Sequence, residues 1–153
     1  MHGIDREVAE AFLGGPDAVA RARGTGAAAL LPGFTLDDYA FEPAGYSLNA
    51  LDGGIYYTLH VTPEQLGSYV SFETNADFRA DPDALVRRVV ETFRPEAFDV
   101  FAWAPGGHKA DLALDGYALC KHATADVGGY GVTFHHFFRP PTGPVAPDAI
   151  RFG

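Results

Sequence analysis

Residues 41–64 read FEPAGYSLNALDGGIYYTLHVTPE, and this stretch decides the fold. Its centre, Asp52-Gly53-Gly54, is hairpin chemistry, because glycine adopts positive φ without a steric penalty. On the C-terminal side Ile55, Tyr57, Leu59 and Val61 alternate with Tyr56, Thr58 and His60, the period of two of a strand with one apolar face. On the N-terminal side Gly45 to Leu51 forms the partner strand, and Pro43 separates it from an earlier strand over Phe34 to Phe41. Ser47, His60 and Glu64 lie on this hydrophobic hairpin, where a core has no use for them, which makes the hairpin a candidate site as well as a framework.

Outward from the hairpin, Gly67 to Thr74 reads as a further strand. Asp81-Pro82 opens a helix whose Leu85, Val86, Val89, Val90 and Phe93 share one stripe, while Arg87, Arg88 and Glu91 lie outside it and Pro95 ends it. Strands are predicted at Ala97–Ala104, Asp115–His122 and Tyr130–Phe138. Upstream, DREVAEAFLGGPDAVARA from Asp5 to Ala22 reads as two short helices, the first capped by Asp5 and stopped by Gly14-Gly15, the second started by Pro16. The chain, 1–153, is therefore expected to be a single α+β domain: an antiparallel sheet with helices on one face, a helical arm and linker over 1–30, and a Pro-rich tail over 139–153. The strands are too aromatic for their other face to stay bare, so a second sheet from another copy, a homodimer, is expected to cover it.

A net charge of −9, with Arg87-Arg88 as the one adjacent basic pair, argues against nucleic-acid binding. The lone Cys120 rules out an internal disulfide and fits a reducing cytoplasm; as a thiol it is expected to be buried and inert. No apolar run approaches the roughly 20 residues of a membrane span, so no membrane partner and a cytoplasmic location are expected. His108, His122, His135 and His136 lack ligand spacing, and adjacent histidines on a strand face apart, so no metal is expected. The same alternation separates Asp37 from Asp38. APGGHKAD, residues 104–111, lacks the pattern of a phosphate loop and reads as a hairpin loop. The two lysines, Lys109 and Lys121, carry no pyridoxal phosphate motif.

The longer run FEPAGYSLNALDGGIYYTLHVTPEQLGSYVSFETN, residues 41–75, resembles the C-terminal half of the eukaryotic-type S-adenosylmethionine decarboxylases, whose motif runs approximately F-x-P-C-G-Y-S-M-N-G, T-I-H-V/I-T-P-E and S-Y-x-S-F-E-T-N. IDREVAEAF, LLPG, DALVRRVVETFRPEAF and YGVTFHHFF agree more loosely, so the resemblance extends over nearly the whole chain. It implies an α/β/β/α sandwich of two similar antiparallel sheets with the substrate between them. It implies that Phe41 stacks on adenine, Glu64 holds the ribose hydroxyls, Ser47 and His60 assist maturation near the reacting centre, and Glu73 occupies an acidic position tied in some members to polyamine activation. An aromatic face suits a purine, and Phe41, Tyr46 or Tyr56 suits a sulfonium cation.

Two departures shape the functional expectation. The family's other half supplies a Glu-Ser cleavage site, whose serine becomes a pyruvoyl group, and a cysteine proton donor; here Ser47, Ser68 and Ser71 follow Tyr, Gly and Val, and Ala44 stands where the motif has Cys. The sequence is therefore read as an S-adenosylmethionine enzyme with no cofactor. Its sulfonium would leave as methylthioadenosine when Cγ is attacked from within the same molecule, giving 1-aminocyclopropane-1-carboxylate or homoserine lactone. His60 is the expected base and Ser47 its partner. The alternatives are a non-catalytic subunit that activates a complete decarboxylase, and a decarboxylase whose pyruvoyl comes from a separate chain.

Overall fold

The computed structural model describes residues 1–64 and 67–143. Seven strands form two antiparallel groups. The first has the order β1 (Thr35–Ala40), β2 (Tyr46–Asp52), β3 (Ile55–Thr62), β4 (Tyr69–Thr74); the second has the order β5 (Ala97–Pro105), β7 (Tyr130–Phe138), β6 (Ala118–Val127). Helices α1 (Arg6–Glu10), α2 (Ala18–Gly24) and α3 (Pro82–Phe93), with a 3-10 turn at Ala27–Ala29, are the other elements of the described residues. The α+β half-sandwich expected from the sequence is thus the observed architecture.

The alternation of the hairpin sets the layers. Tyr46, Leu48, Ala50, Tyr57, Leu59, Val61 and Val70 turn inward and are buried against Phe12, Ala22, Leu30, Val89 and Phe93 from the helical layer. Each large side chain here removes enough apolar surface from water to contribute about 1.5–3 kcal/mol. Helix α3 begins where the Asp81 side chain accepts from the Ala84 N–H at 3.0 Å, and its stripe serves both groups of strands. Val89 and Phe93 join the first core; Val90 joins Phe98, Leu112, Leu114 and Phe137 in a smaller second one.

The two groups of strands meet at one residue. His2 bridges to Tyr69 of β4 and to Ala97 of β5, its N–H donating to Ala97 O at 2.8 Å, while Val70 N–H donates to Met1 O at 3.0 Å. Past that splice β4 and β5 part, leaving a slot of about 580 Å³ floored by α3.

Several local expectations are corrected. Pro16 lies outside α2, which starts after Asp17 at φ 57; the Pro16 carbonyl instead accepts from Arg21, as do those of Leu13 and Gly14. Strand β6 runs from Ala118 to Val127 and not from Asp115 to His122, because Gly128 and Gly129 at positive φ make the turn into β7. The segment 104–111 closes no hairpin: β7 lies between β5 and β6, so the chain crosses over. Cys120 is exposed, since β6 is an edge strand and its register slips between Leu119 and Lys121. The expected Pro-rich tail lies outside the described residues from position 144 onward. Among the described residues, no helix is long and apolar enough to cross a membrane.

Candidate functional site on the open face of the sheet

The face away from the helices carries the polar half of each alternation. Strand register aligns Tyr39, Ser47, His60 and Ser71 in one row across β1 to β4, and Asp37, Asn49, Thr58 and Glu73 in the next. In the first row Ser47 Oγ lies 3.0 Å from His60 Nδ1, a hydrogen bond. The second ring nitrogen, Nε2, has no partner among the described residues.

Phe41 and Glu64 flank this pair at the same end of the hairpin. Phe41 follows β1 in a turn closed by its N–H donating to Gly45 O at 2.9 Å, and its ring meets Tyr39 edge-on at 4.9 Å while staying 46% exposed. Gly45 sits at φ 121, which a side chain would strain, and donates to Phe12 O at 3.0 Å. Gly14 donates to Pro43 O at 2.8 Å, and a Cβ there would collide with the Glu42 carboxylate and with that same carbonyl oxygen. The segment after α1 thus clamps the turn that presents Phe41. Glu64 follows β3, exposed, with no hydrogen bond to its side chain among the described residues.

Tyr56 and Glu73 form a separate pair nearer the Gly53-Gly54 turn. Tyr56 is four residues from His60 along β3, or roughly 13 Å at the rise of a strand. The Tyr56 hydroxyl donates to Glu73 Oε1 at 3.1 Å, and the carboxylate raises the phenol pKa. The Asn75 side chain fixes the register here, accepting from Tyr56 N–H at 2.8 Å and donating to Gly54 O at 2.9 Å.

Tyr46 does not belong to this face. As the neighbour of Ser47 on one strand it points the opposite way, 1% exposed, against Phe12 at 5.6 Å. Its hydroxyl donates to Asp38 Oδ2 at 2.6 Å, and Arg23 grips the same carboxylate through Nε at 2.8 Å and Nη2 at 2.6 Å. Arg23 holds the Asp38 carboxyl below its ordinary range, while burial, then the Asp38 carboxylate, push the Tyr46 phenol up. Asp37 faces the other way, as the alternation requires.

The structure adds groups that the sequence reading passed over. Asp99 Oδ1 pairs with His136 Nδ1 at 2.7 Å on the open face of β5 and β7, beside exposed Phe101 and Trp103. Alternation in DVFAW, residues 99–103, was the available signal. Ser47 and His60 do not line the slot between β4 and β5, whereas Ser71 and Glu73 do. The candidate site is therefore a wall. Among the described residues no cluster of three metal-ligating side chains occurs.

Comparison with known proteins agrees with this architecture. The adenosylmethionine decarboxylase family model matches residues 1–138. The S-adenosylmethionine decarboxylase proenzyme of Dictyostelium discoideum is 35% identical over 147 residues, covering 90% of this chain and 38% of its own length. That of Ipomoea nil is 38% identical over 140 residues, covering 86% and 39%. The chain thus spans about two fifths of the length of these curated relatives. The crystal structure of the Trypanosoma brucei AdoMetDC-delta26 monomer superposes with a TM-score of 0.81 over 92% of this chain and 63% of its own, at 23% identity, a likeness of fold. By sequence and by architecture, the chain belongs to the adenosylmethionine decarboxylase family.

Proposed function

We propose that the chain is one wall of an S-adenosylmethionine site, completed by a second sheet laid against its open face, and that the completed site decarboxylates the ligand. The observation that carries this reading is the Ser47–His60 pair, held in register at 3.0 Å on an open sheet face with an exposed Phe41 ring and the Glu64 carboxylate at the same end. Phe41 stacks on the purine, and Glu64 accepts from two vicinal ribose hydroxyls. Nδ1–H of His60 donates to Ser47 Oγ, which leaves the Nε2 lone pair to take or return a proton at the reacting carbon. Tyr56 and Glu73 stand beyond the reach of that carbon and bound the ligand at its far end, with Glu73 able to attract a cation.

Decarboxylation needs an electron sink, which a pyruvoyl carbonyl supplies in this family. The residues here do not fit its formation: none of the three serines follows a glutamate. Ser68 is buried, its Oγ accepting from Ile4 N–H at 2.8 Å, and Ser47 is engaged by His60. The sink is therefore assigned to the part of the completed site that the second sheet brings.

A second reading keeps the chemistry within this chain, with a second copy as the covering sheet. The unpartnered Nε2 of His60, together with the lack of a Glu-Ser pair, favours cofactor-free displacement at Cγ, with release of methylthioadenosine and formation of 1-aminocyclopropane-1-carboxylate or homoserine lactone. Exposed Tyr39, Phe101 and Trp103 supply apolar surface for such a homodimer. A non-catalytic activating subunit would use the same face without turnover.

One assay separates these readings. The chain is incubated with S-adenosylmethionine, alone and with the N-terminal portion of the Dictyostelium relative, and four products are followed by mass detection. Decarboxylated S-adenosylmethionine in the mixture alone supports the first reading. Methylthioadenosine from the chain alone supports the second. Absence of calorimetric binding in both samples overturns both.

A further inference from the structure

The turn that presents Phe41 is held through a second strip of chain. Residues 41–45 close on themselves through Phe41 N–H and Gly45 O at 2.9 Å. Further ties run to the strip after α1, Phe12–Gly15. Gly45 N–H donates to Phe12 O at 3.0 Å, Gly14 N–H to Pro43 O at 2.8 Å, and Gly15 N–H to Glu42 Oε1 at 2.6 Å, while Leu13 and Ala44 form a bridge. The two strips lie backbone to backbone, because Gly14 leaves no room for a side chain between them. A shift in one is therefore passed to the other. Phe12 anchors its end of the strip in the core, but Gly14 and Gly15 have no side chains to pack, and glycine has the largest backbone freedom of any residue. Arg21 supplies the fastening there. Its guanidinium donates through Nη2 to Leu13 O at 2.6 Å and Gly14 O at 2.9 Å, and through Nη1 to Pro16 O. Three carbonyls of one chain reversal thus converge on one planar fork, a geometry that a single ammonium does not match. Arg21 is itself set by α2, its N–H donating to Asp17 O at 2.9 Å.

We propose that Arg21 is a positioning residue for Phe41. By gathering the carbonyls of Leu13, Gly14 and Pro16 it sets the strip, the strip sets the turn, and the turn fixes the ring before a ligand arrives. The proposal rests on the reading of the open face as an S-adenosylmethionine wall, with Phe41 as the group that stacks on the purine. A ring ordered on folding holds a purine more tightly than a mobile one, because its ordering is not charged against binding. Arg21 stands on α2 in the helical layer and touches no ligand, so it acts through the backbone of residues 12–16 and 42–45 alone.

The test compares the parent chain with Arg21→Met and Arg21→Lys in two steps. The first, without ligand, follows amide hydrogen exchange at Gly14, Gly15, Phe41 and Gly45, the donors of the brace, against Leu48 and Leu59 at the centre of the sheet. Arg21→Met is expected to speed exchange at those four amides roughly tenfold and to leave Leu48 and Leu59 unchanged. Arg21→Lys, which keeps the charge and loses the fork, should fall between parent and Arg21→Met. In the second step 5′-methylthioadenosine is titrated into each chain, alone and with the N-terminal portion of the Dictyostelium relative, and the Phe41 ring resonances report the affinity. The expected Kd in Arg21→Met is roughly three- to tenfold weaker than in the parent. Unchanged exchange at the four amides overturns the proposal. So does faster exchange at Leu48 and Leu59 as well, which would make Arg21 a residue of general stability. Loosened brace amides with an unchanged Kd overturn it too, leaving a brace without a part in binding. If instead the parent's Phe41 resonances ignore methylthioadenosine in both samples, the S-adenosylmethionine reading fails and takes the proposal with it, and the exchange step shows whether the brace itself exists. Should circular dichroism find Arg21→Met unfolded, both steps are decided on Arg21→Lys.

Discussion

The four-stranded and three-stranded groups are made of strands of similar kind but are finished differently. Behind β1 to β4 lie α1, α2, the Ala27–Ala29 turn and half of α3, and the fully buried Tyr46, Tyr57, Leu48, Leu59, Phe12 and Phe93 interlock there. Behind β5, β7 and β6 lie, among the described residues, the other side of α3 with Leu112, Leu114 and Tyr117, and Leu119 to Val127 of β6 are all exposed. The first group can hold a site rigidly on its own core. The second has a thin core, which fits a fold half whose sheet is completed from outside.

The contrast breaks if the two cores respond alike to truncation. Phe93→Ala removes a ring with no exposure that packs on Phe12 at 5.9 Å, and is expected to cost about 3–5 kcal/mol in denaturant unfolding. Leu119→Ala, on the uncovered edge strand at 47% exposure, is expected to change stability by less than about 0.5 kcal/mol. Equal losses would mean that β6 is covered in solution.

A second comparison sets the two faces of β2 and β3 against each other. His60→Ala and Ser47→Ala touch only the open face, so both should leave the unfolding midpoint nearly unchanged while turnover of the completed site falls roughly 10²- to 10⁴-fold for His60. A destabilisation comparable with that of Phe93→Ala would show that the pair is structural. Activity unchanged in His60→Ala would remove it from the chemistry.

These two faces also show what the sequence makes legible. Period-two alternation separates Tyr57 from His60 and locates the α3 stripe without any knowledge of partners, because burial acts on each element locally. The same alternation, applied strictly, would have moved Tyr46 off the ligand face, since Ser47 and Tyr46 are neighbours on β2. What stayed hidden depends on chain reversals and on distant pairings. The placement of β7 between β5 and β6, the exposure of Cys120 and the splice at His2 all follow from contacts separated by tens of residues, for which no periodicity exists. The cluster of Arg23, Asp38 and Tyr46 is hidden for the same reason, because a helix and two strands must dock before the three groups meet.

That cluster predicts a stability profile falling at both ends of the pH scale. Asp38 has its pKa lowered in the fold from 3.8, so its contribution is present above about 3.8 and is lost as pH falls through the folded value. Tyr46 has its pKa raised from 10.0, so its contribution is present below about 10 and is lost as pH rises toward the folded value. Asp38→Asn should cost about 1–3 kcal/mol at neutral pH, erase the Asp38 part of the acid arm, and shrink the alkaline arm without abolishing it, since burial is the larger cause of the Tyr46 shift. An alkaline arm of undiminished size would assign it to other tyrosines, Tyr57 first, whose pKa burial also raises.

The thin core carries a titration of its own. His135 on β7 is fully buried, and neither ring nitrogen has a hydrogen-bond partner among the described residues; the ring stacks on Phe137 at 5.8 Å and lies 4.7 Å from His122. Burial is the main cause that lowers its pKa from 6.5, the His122 charge adds to it, and the carboxylates of Asp111 and of Asp83 on α3 oppose it. A lowered pKa means that the neutral ring is preferred in the fold, so its stability contribution is present above about 6.5 and is lost as pH falls through the folded value. His135→Phe keeps an aromatic ring next to Phe137 and removes two polar atoms without partners. It should change stability at pH 7 by no more than about 1 kcal/mol, because relief of unsatisfied nitrogens offsets the strain of a slightly larger ring. Its effect should appear in mild acid, where the parent loses stability as pH falls below 6.5 and the variant lacks that loss. If the acid slope survives the substitution, it belongs to groups outside the core, and the three-stranded group is no weaker at its centre than the four-stranded one.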